Sequence, residues 1–213
     1  MRTQPLGDSA ITIAFGTARS AELLTQVHAA AASLAAAGLP EVQDIVPAYL
    51  GVAVFYDPLK TSYREMTTKL LPVCERAAAA TMVSGKSREH EIRVTYDGPD
   101  LEQVSVSVGL SVEEVIARHI GRSYTVDLIG FVPGFGYLSE LDSALQLPRR
   151  SQPRPRVPAG SVAIAGAQTA VYPLDTPGGW HIIGRTDCLM FDPLSDPPAL
   201  LRAGDKVRFV PAP

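Results

Sequence analysis

Three polar side chains toward the C-terminal end of this sequence, Gln168, His181 and Arg185, are of the types that hold a small polar substrate. A glutamine amide presents a donor and an acceptor side by side, which suits the edge of an amide or lactam. Arg185 follows Gly184 at a predicted strand end, where a guanidinium can grip a carboxylate or carbamoyl-type group through two parallel bonds. Each has a plainer role open to it. Arg185 can pair with Asp187 or Asp192, Gln168 can close the turn at Gly166, and His181 can be a surface residue beside a core Trp180. Side chains alternate along a strand, so Trp180 and His181 are expected on opposite faces, one of them toward the mouth of a barrel.

Two further sets flank these residues. Phe135 and Tyr137, in Pro133-Gly-Phe-Gly-Tyr137, are expected to form an exposed lip for a ligand or partner, whereas Phe131 is assigned to barrel packing. Arg149, Arg150, Arg154 and Arg156 lie between Pro148 and Pro158. They read either as a solvated loop or, favoured by the rigidity of the flanking prolines, as an anion-attracting rim on a stiff extended loop. The stretch from Gly130 to Asp192 is dense in glycine and proline between β-branched or aromatic residues. That is the composition of shaped loops on a β scaffold.

Other chemistries are poorly supported. Ser84-Gly-Lys-Ser87 ends like a phosphate loop, but Ala80 stands where G-x-x-x-x-G-K-[ST] requires glycine, so it reads as a linker. Asp175-Thr-Pro-Gly-Gly179 leads into a strand, not into a helix whose N-terminus would cradle phosphate. Ser161, Thr169 and Cys188 lack a G-x-S-x-G elbow and are assigned to turns or cores. His28, His90, His119 and His181 show no metal-ligand spacing, and no metal site is expected. Cys74 and Cys188 have no paired spacing and read as small hydrophobes in a reducing compartment.

The elements that must position these groups follow from pattern. Ala10–Phe15 alternates as a strand; Ser20 caps a helix over 21–37 that ends at Gly38; residues 42–47 and 50–56 read as strands. A second helix runs from about Ser62 to Thr81, with Leu70, Leu71 and Val73 on its apolar side and Pro72 expected to kink it. The order β-α-β-β-α fits a ferredoxin-like sandwich over residues 1–83. After a polar joint at residues 84–87, residues 88–213 form a second domain. It opens on a strand at 91–96 and a short helix at 100–108, then a helix from the Ser111/Glu114 capping box to Ile120. Short strands follow at 124–129, 162–165, 169–172, 181–184, 189–191 and 206–210, with turn signals between them, which predicts a closed β-barrel. The fold class is therefore α+β.

With 213 residues, the chain can bury one good core or two small ones. Hydrophobic content of 46% and charged content of 19% are those of a soluble globular protein, and a net charge of −3 leaves no basic footprint for nucleic acid. No apolar run is long enough to span a bilayer, and residues 1–9 lack the apolar core of a secretory signal, so a cytoplasmic location is expected.

Several separated motifs carry a resemblance that covers nearly the whole chain. They are Gly7-Asp-Ser-Ala10, Asp44-Ile-Val-Pro-Ala-Tyr49, Tyr56-Asp-Pro58, Val94-Thr-Tyr-Asp97 and Leu110-Ser-Val-Glu-Glu-Val-Ile-Ala-Arg-His119. The most specific are Gly130-Phe-Val-Pro-Gly-Phe-Gly-Tyr137 and the run from Val157 to Thr186. In these the chain resembles the KipI-like family, also called the B-type 5-oxoprolinase subunits or allophanate hydrolase subunit 1, a unit shared with the carboxyltransferase region of urea carboxylase. It departs from the family at Gly136, Ser139-Glu140 and Asp127-Leu128-Ile129, in segments beside the candidate site. The resemblance implies a small α/β domain followed by a cyclophilin-like barrel. It implies the B-type component of an ATP-dependent enzyme that opens 5-oxoproline to glutamate, with Arg185 toward the substrate carboxylate and Gln168 toward its amide. ATP with Mg would act at the level of the complex. The implied partners are a second cyclophilin-like subunit, of the KipA or C-type 5-oxoprolinase kind, and an A-type subunit of the LamB/YcsF kind. An accessory subunit for urea-derived amides, or an inhibitor of a sensor histidine kinase, are the alternatives within the same resemblance.

Overall fold

The computed structural model describes residues 1–80 and 87–212, and the chain divides into two compact units, Met1–Ser87 and Arg88–Pro213. Most of the polar joint, residues 84–86, lies outside the described residues, as does Thr81 at the expected end of the second helix.

The first unit contains β1 (Arg2–Pro5), β2 (Ala10–Ala14), α1 (Ala21–Ala36), β3 (Val42–Pro47), β4 (Gly51–Tyr56) and α2 (Tyr63–Ala79). Its antiparallel sheet has the order β1-β2-β4-β3. The pattern reading overlooks β1 because Arg-Thr-Gln-Pro is polar and has little buried surface. This strand fills the edge beside β2 where the last strand of a βαββαβ sandwich would lie. Ser20 and Ser62 cap the helices through their hydroxyl oxygens, Ser62 in a capping box with Glu65. Pro72 does not interrupt α2. Pro72 and Thr68 are both exposed, so the Thr68 carbonyl that loses its amide partner faces water. Ile11, Ile13, Val27, Leu34, Val54, Met66, Leu70 and Cys74 fill the space between sheet and helices.

The second unit begins with β5 (Glu89–Val94), α3 (Leu101–Val108) and α4 (Val112–Ile120), the latter opened by the Ser111/Glu114 capping box. Then come β6 (Ser123–Ile129), β7 (Gly136–Ser139), β8 (Arg154–Val157), β9 (Ser161–Ala165), β10 (Gln168–Val171), β11 (Thr176–Gly178), β12 (His181–Arg185) and β13 (Lys206–Pro211). Seven of them form one sheet in the order β12-β9-β10-β7-β6-β13-β5. Its edges meet where Thr95 and Arg185 exchange two backbone hydrogen bonds of 2.9 Å, which nearly closes a barrel. The seam continues as the Asp100 amide donates to the Ile182 carbonyl at 3.0 Å. Gly98 must be glycine in this seam, because a Cβ there would stand 2.3 Å from the Ile183 carbonyl carbon. Residues 189–191 do not form the expected strand; Phe191 makes a single bridge to Ala199. The expected loop at 148–158 contains β8, which pairs with β11 as a separate ribbon.

Alternation sorts the barrel wall into two faces. Val162, Ile164, Val171 and Ile183 join Ile92, Val126, Leu138 and Phe209 in the main core. Ala163, Ala165, Ala170, Tyr172 and Ile182 face the other way, into a second cluster with Phe135, Val157 and Trp180.

His119 is fully buried in the main core, stacked on Phe209 with ring centroids 4.6 Å apart. The Thr169 hydroxyl donates to the Ala163 carbonyl, so its oxygen accepts from His119 Nε2 at 2.9 Å, and Nδ1 accepts from the Tyr96 hydroxyl at 2.7 Å. Burial alone pushes the His119 pKa down to about 3. The unfolded chain binds a proton at this residue below about pH 6.5, and the folded chain does not. Stability is therefore fully present above that pH and is expected to fall by about 1.4 kcal/mol per unit as pH drops toward 3. Urea midpoints at pH 7, 5.5 and 4.5 check this against His119→Gln, whose profile should be flatter; parallel profiles would contradict it.

Candidate functional site

Phe135 is the hub of the second cluster. Its ring meets those of Tyr137, Tyr172, Phe131 and Trp180 edge-on, at 4.9, 5.2, 5.4 and 5.7 Å between centroids. The expected exposed lip is thus a buried seat: Phe135 is 2% exposed, Tyr137 is half-buried and Trp180 is core. The cause is a tight loop, in which the Phe135 amide bonds the Val132 carbonyl and the Gly130 amide bonds the Phe135 carbonyl. It tucks Phe135 under and leaves Phe131, assigned from sequence to packing, 59% exposed at φ +68°. A bulky side chain in the left-handed region is strained and needs its surroundings to hold it there.

The arginine-rich segment is tied down by carboxylates. Asp100, 2% exposed, accepts four bonds. Arg150 Nη1 and Arg154 Nη2 reach Oδ1 at 2.7 Å, while Arg154 Nη1 and the Ile182 amide reach Oδ2 at 2.8 and 2.7 Å. Burial acts to raise the Asp100 pKa, but the arginines and the amide outweigh it and hold the carboxyl below its ordinary value. Arg156 pairs with Asp175, which also accepts the Ala159 amide. Three of the four rim arginines are therefore already paired. Arg149 is exposed and makes no hydrogen bond or ion pair among the described residues.

Residues 148–150 run beside 179–181. His181 Nε2 bonds the Pro148 carbonyl at 2.9 Å, and the Arg150 amide bonds the Gly179 carbonyl at 2.8 Å. Facing a carbonyl, Nε2 is the donor of this bond, and the buried Nδ1 of His181 has no hydrogen-bond partner among the described residues. His181 lies against this segment, and Trp180 packs into the second cluster with Phe135 and Tyr172.

The other two polar candidates sit elsewhere. Arg185 Nε bonds Asp97 Oδ2 at 2.8 Å, a partner different from either aspartate considered above. It lines a shallow cavity of about 400 Å³ beside Arg93, Thr95 and Cys188 at the barrel seam. Gln168 Nε2 donates to Asp127 Oδ2 of β6 at 3.3 Å. The structure thus brings Phe135, Tyr137 and Trp180 together, with His181 and the segment carrying Arg149 beside Trp180, and sets Arg185 at the barrel seam. Sequence reading overlooked Asp100 and Tyr172. Asp100 precedes a helix and reads locally as a cap, and nothing local announces arginines 50 and 54 residues away.

Residues 1–201 match the family described as carboxyltransferase domain, subdomain C and D. The chain belongs to this family. The B-type 5-oxoprolinase subunit of Bacillus subtilis (strain 168) is 41% identical over 224 residues, which span 97% of this chain and 91% of that protein. The crystal structure of TTHA0988 superposes with a TM-score of 0.84 at 41% identity; it covers 96% of this chain, which spans only 40% of the TTHA0988 chain. The urea carboxylase of Kluyveromyces lactis contains the same fold, at a TM-score of 0.75 and 15% identity, over 99% of this chain and 22% of that one. The α+β class and the barrel-like sheet expected from sequence agree with these likenesses. Among the described residues, no helix is long and apolar enough to cross a membrane.

Proposed function

We propose that this chain is the B-type component of an ATP-dependent 5-oxoprolinase that acts in the cytoplasm and turns over only with its partner subunits. The observation that carries this reading is the 41% identity to a 5-oxoprolinase component of that type over nearly the full length of both proteins. Two free thiols, Cys74 and Cys188, agree with a reducing compartment. The described residues do not themselves fit a nucleotide–Mg site. They contain no group of three metal-binding side chains, Arg150, Arg154 and Arg156 are committed to carboxylates, and the loop from Asp175 leads into β11 and β12 rather than a helix. We therefore assign ATP to the partner subunits, of the C type with a second barrel and of the A type. This chain contributes the aromatic seat, and the partner meets it on the loop that presents Phe131.

The reconstituted complex is expected to convert 5-oxoproline to glutamate with consumption of ATP, and to leave urea and allophanate untouched. Coupled measurement of glutamate, ammonia and ADP on the three compounds side by side checks this. Turnover of urea or allophanate in place of 5-oxoproline would overturn the assignment.

A further inference from the structure

The seam of the barrel sheet stays open on one side of the Thr95–Arg185 pair. β5 runs parallel to β13, and the Lys206 and Ala212 amides donate to the Arg88 and Val94 carbonyls, so the even-numbered residues of β5 turn their backbone groups toward β13. The odd-numbered residues turn theirs the other way. Thr95 uses its outward pair on Arg185, each amide donating to the other's carbonyl at 2.9 Å. An antiparallel ladder that went on from there would set Arg93 opposite Asp187. That rung is missing. The Thr186 amide bonds the Gly160 carbonyl at 2.9 Å and the Thr186 hydroxyl takes the Cys188 amide at 3.1 Å, which turns residues 186–188 toward the Gly160 turn and away from β5.

The space of the missing rung is the cavity of about 400 Å³ at the seam, lined by Glu91, Arg93, Thr95, Arg185, Asp187 and Cys188 among others. Arg93 brings to it an outward amide, an outward carbonyl and a guanidinium that has no ion pair or hydrogen bond among the described residues. The Arg185 guanidinium is held by Asp97 through Nε. Two arginines and two acids line the cleft, so it is no plain trap for anions. An amide beside a carbonyl on one residue calls for a ligand that offers an acceptor and an N–H with the same spacing. 5-Oxoproline is built that way, because its lactam nitrogen and its carboxylate are attached to one carbon, as in a chain residue. Laid antiparallel to β5, its carboxylate takes the Arg93 amide and its N–H donates to the Arg93 carbonyl, the two bonds of an antiparallel pair. The Arg93 guanidinium adds charge on the carboxylate. Just beyond Cys188, Met190 and Phe191 lie against Gly134 of the loop that presents Phe131, so the cleft and the partner's loop share one segment.

The geometry points to a lactam site in this seam cleft, where Arg93 holds the substrate through its backbone amide and carbonyl as the missing strand residue would. This rests on the reading of the chain as an oxoprolinase component.

Two experiments test it. In the isolated chain, L-5-oxoproline should shift the backbone amide resonances of Glu91, Arg93, Thr95 and Asp187 saturably in a proton–nitrogen correlation spectrum, and leave the Trp180 indole resonance in place. N-methyl-5-oxoproline, which lacks the N–H, and 2-pyrrolidinone, which lacks the carboxylate, should each need at least tenfold more ligand for the same shifts. In the reconstituted complex, Arg93→Ala keeps both backbone groups and should raise the KM for L-5-oxoproline only a few-fold. Arg93→Pro also deletes the outward amide, a change an edge strand tolerates because that amide serves no ladder bond, and should raise the KM about 10- to 100-fold above Arg93→Ala. Equal KM values for the two variants in folded, assembled complexes would overturn the inference. So would shifts centred on Trp180, no shift at Arg93 with L-5-oxoproline far above the KM, or an N-methyl compound that binds as well as the parent. If Arg93→Pro does not fold, the ligand series and the amide shifts decide alone. A complex inert toward 5-oxoproline whose Arg93 amide still responds to it would leave the cleft site standing and remove the oxoprolinase reading alone.

Discussion

Asp100→Ala is expected to destabilise the second unit by about 3 kcal/mol, and Asp100→Asn by less. The carboxylate is buried and accepts four hydrogen bonds, from two arginines and one backbone amide. Removing one member of a buried ionic set leaves the others desolvated without compensation, a loss of about 3–5 kcal/mol. The low end applies because the side chains of Arg150 and Arg154 retain 26% and 23% exposure and can recover some water. The Ile182 amide has no such recourse, since it lies in a buried strand. Urea unfolding followed by Trp180 fluorescence measures the effect, with an unchanged slope confirming that the unfolding reaction is the same. A loss below about 1 kcal/mol, the worth of an ordinary exposed ion pair, would mean that the carboxylate is not the clamp described.

The substitution also separates two roles of the arginine-rich segment. Arg150 and Arg154 hold the segment against α3 and β12, whereas Arg149 rides on that support without taking part in it. Asp100→Ala should therefore loosen the seat as well as the fold, and Arg149→Gln should leave the urea midpoint where it is.

Much of the fold is legible in the sequence because its cues are local. The Ser111-Val-Glu-Glu114 capping box forms as written, and Ser20 and Ser62 open their helices. Val42–Pro47 appears as a strand with those bounds, since β-branched residues between turn signals leave few alternatives. β1 escapes notice because an exposed edge strand needs no apolar alternation.

The site is less legible because its logic is long-range. The arginine cluster is plain in the sequence, but which arginine is free depends on Asp100 and Asp175, which lie in other elements. Phe131 and Phe135 are chemically identical and lie in one short loop, and a turn decided by Gly134 at φ +79° exchanges their roles. A Cβ at Gly134 would come within 2.7 Å of Phe191 Cβ, a contact no local pattern reveals. Arg185, placed from sequence at the substrate, pairs instead with Asp97, which reaches it only because the barrel seam brings β12 to the end of β5.

The central claim is that this chain is an indispensable but insufficient part of a lactam hydrolase. The partner subunits should be assayed with L-5-oxoproline and ATP, with and without this chain, and the chain should be assayed alone. The account predicts glutamate and ADP formed in equal amounts by the full set. Turnover should be lower by about a thousandfold or more when this chain is omitted, a scale within what binding and positioning contribute to catalysis, and the chain by itself should give none. Full turnover by the partners without it, or by this chain alone, would contradict the account.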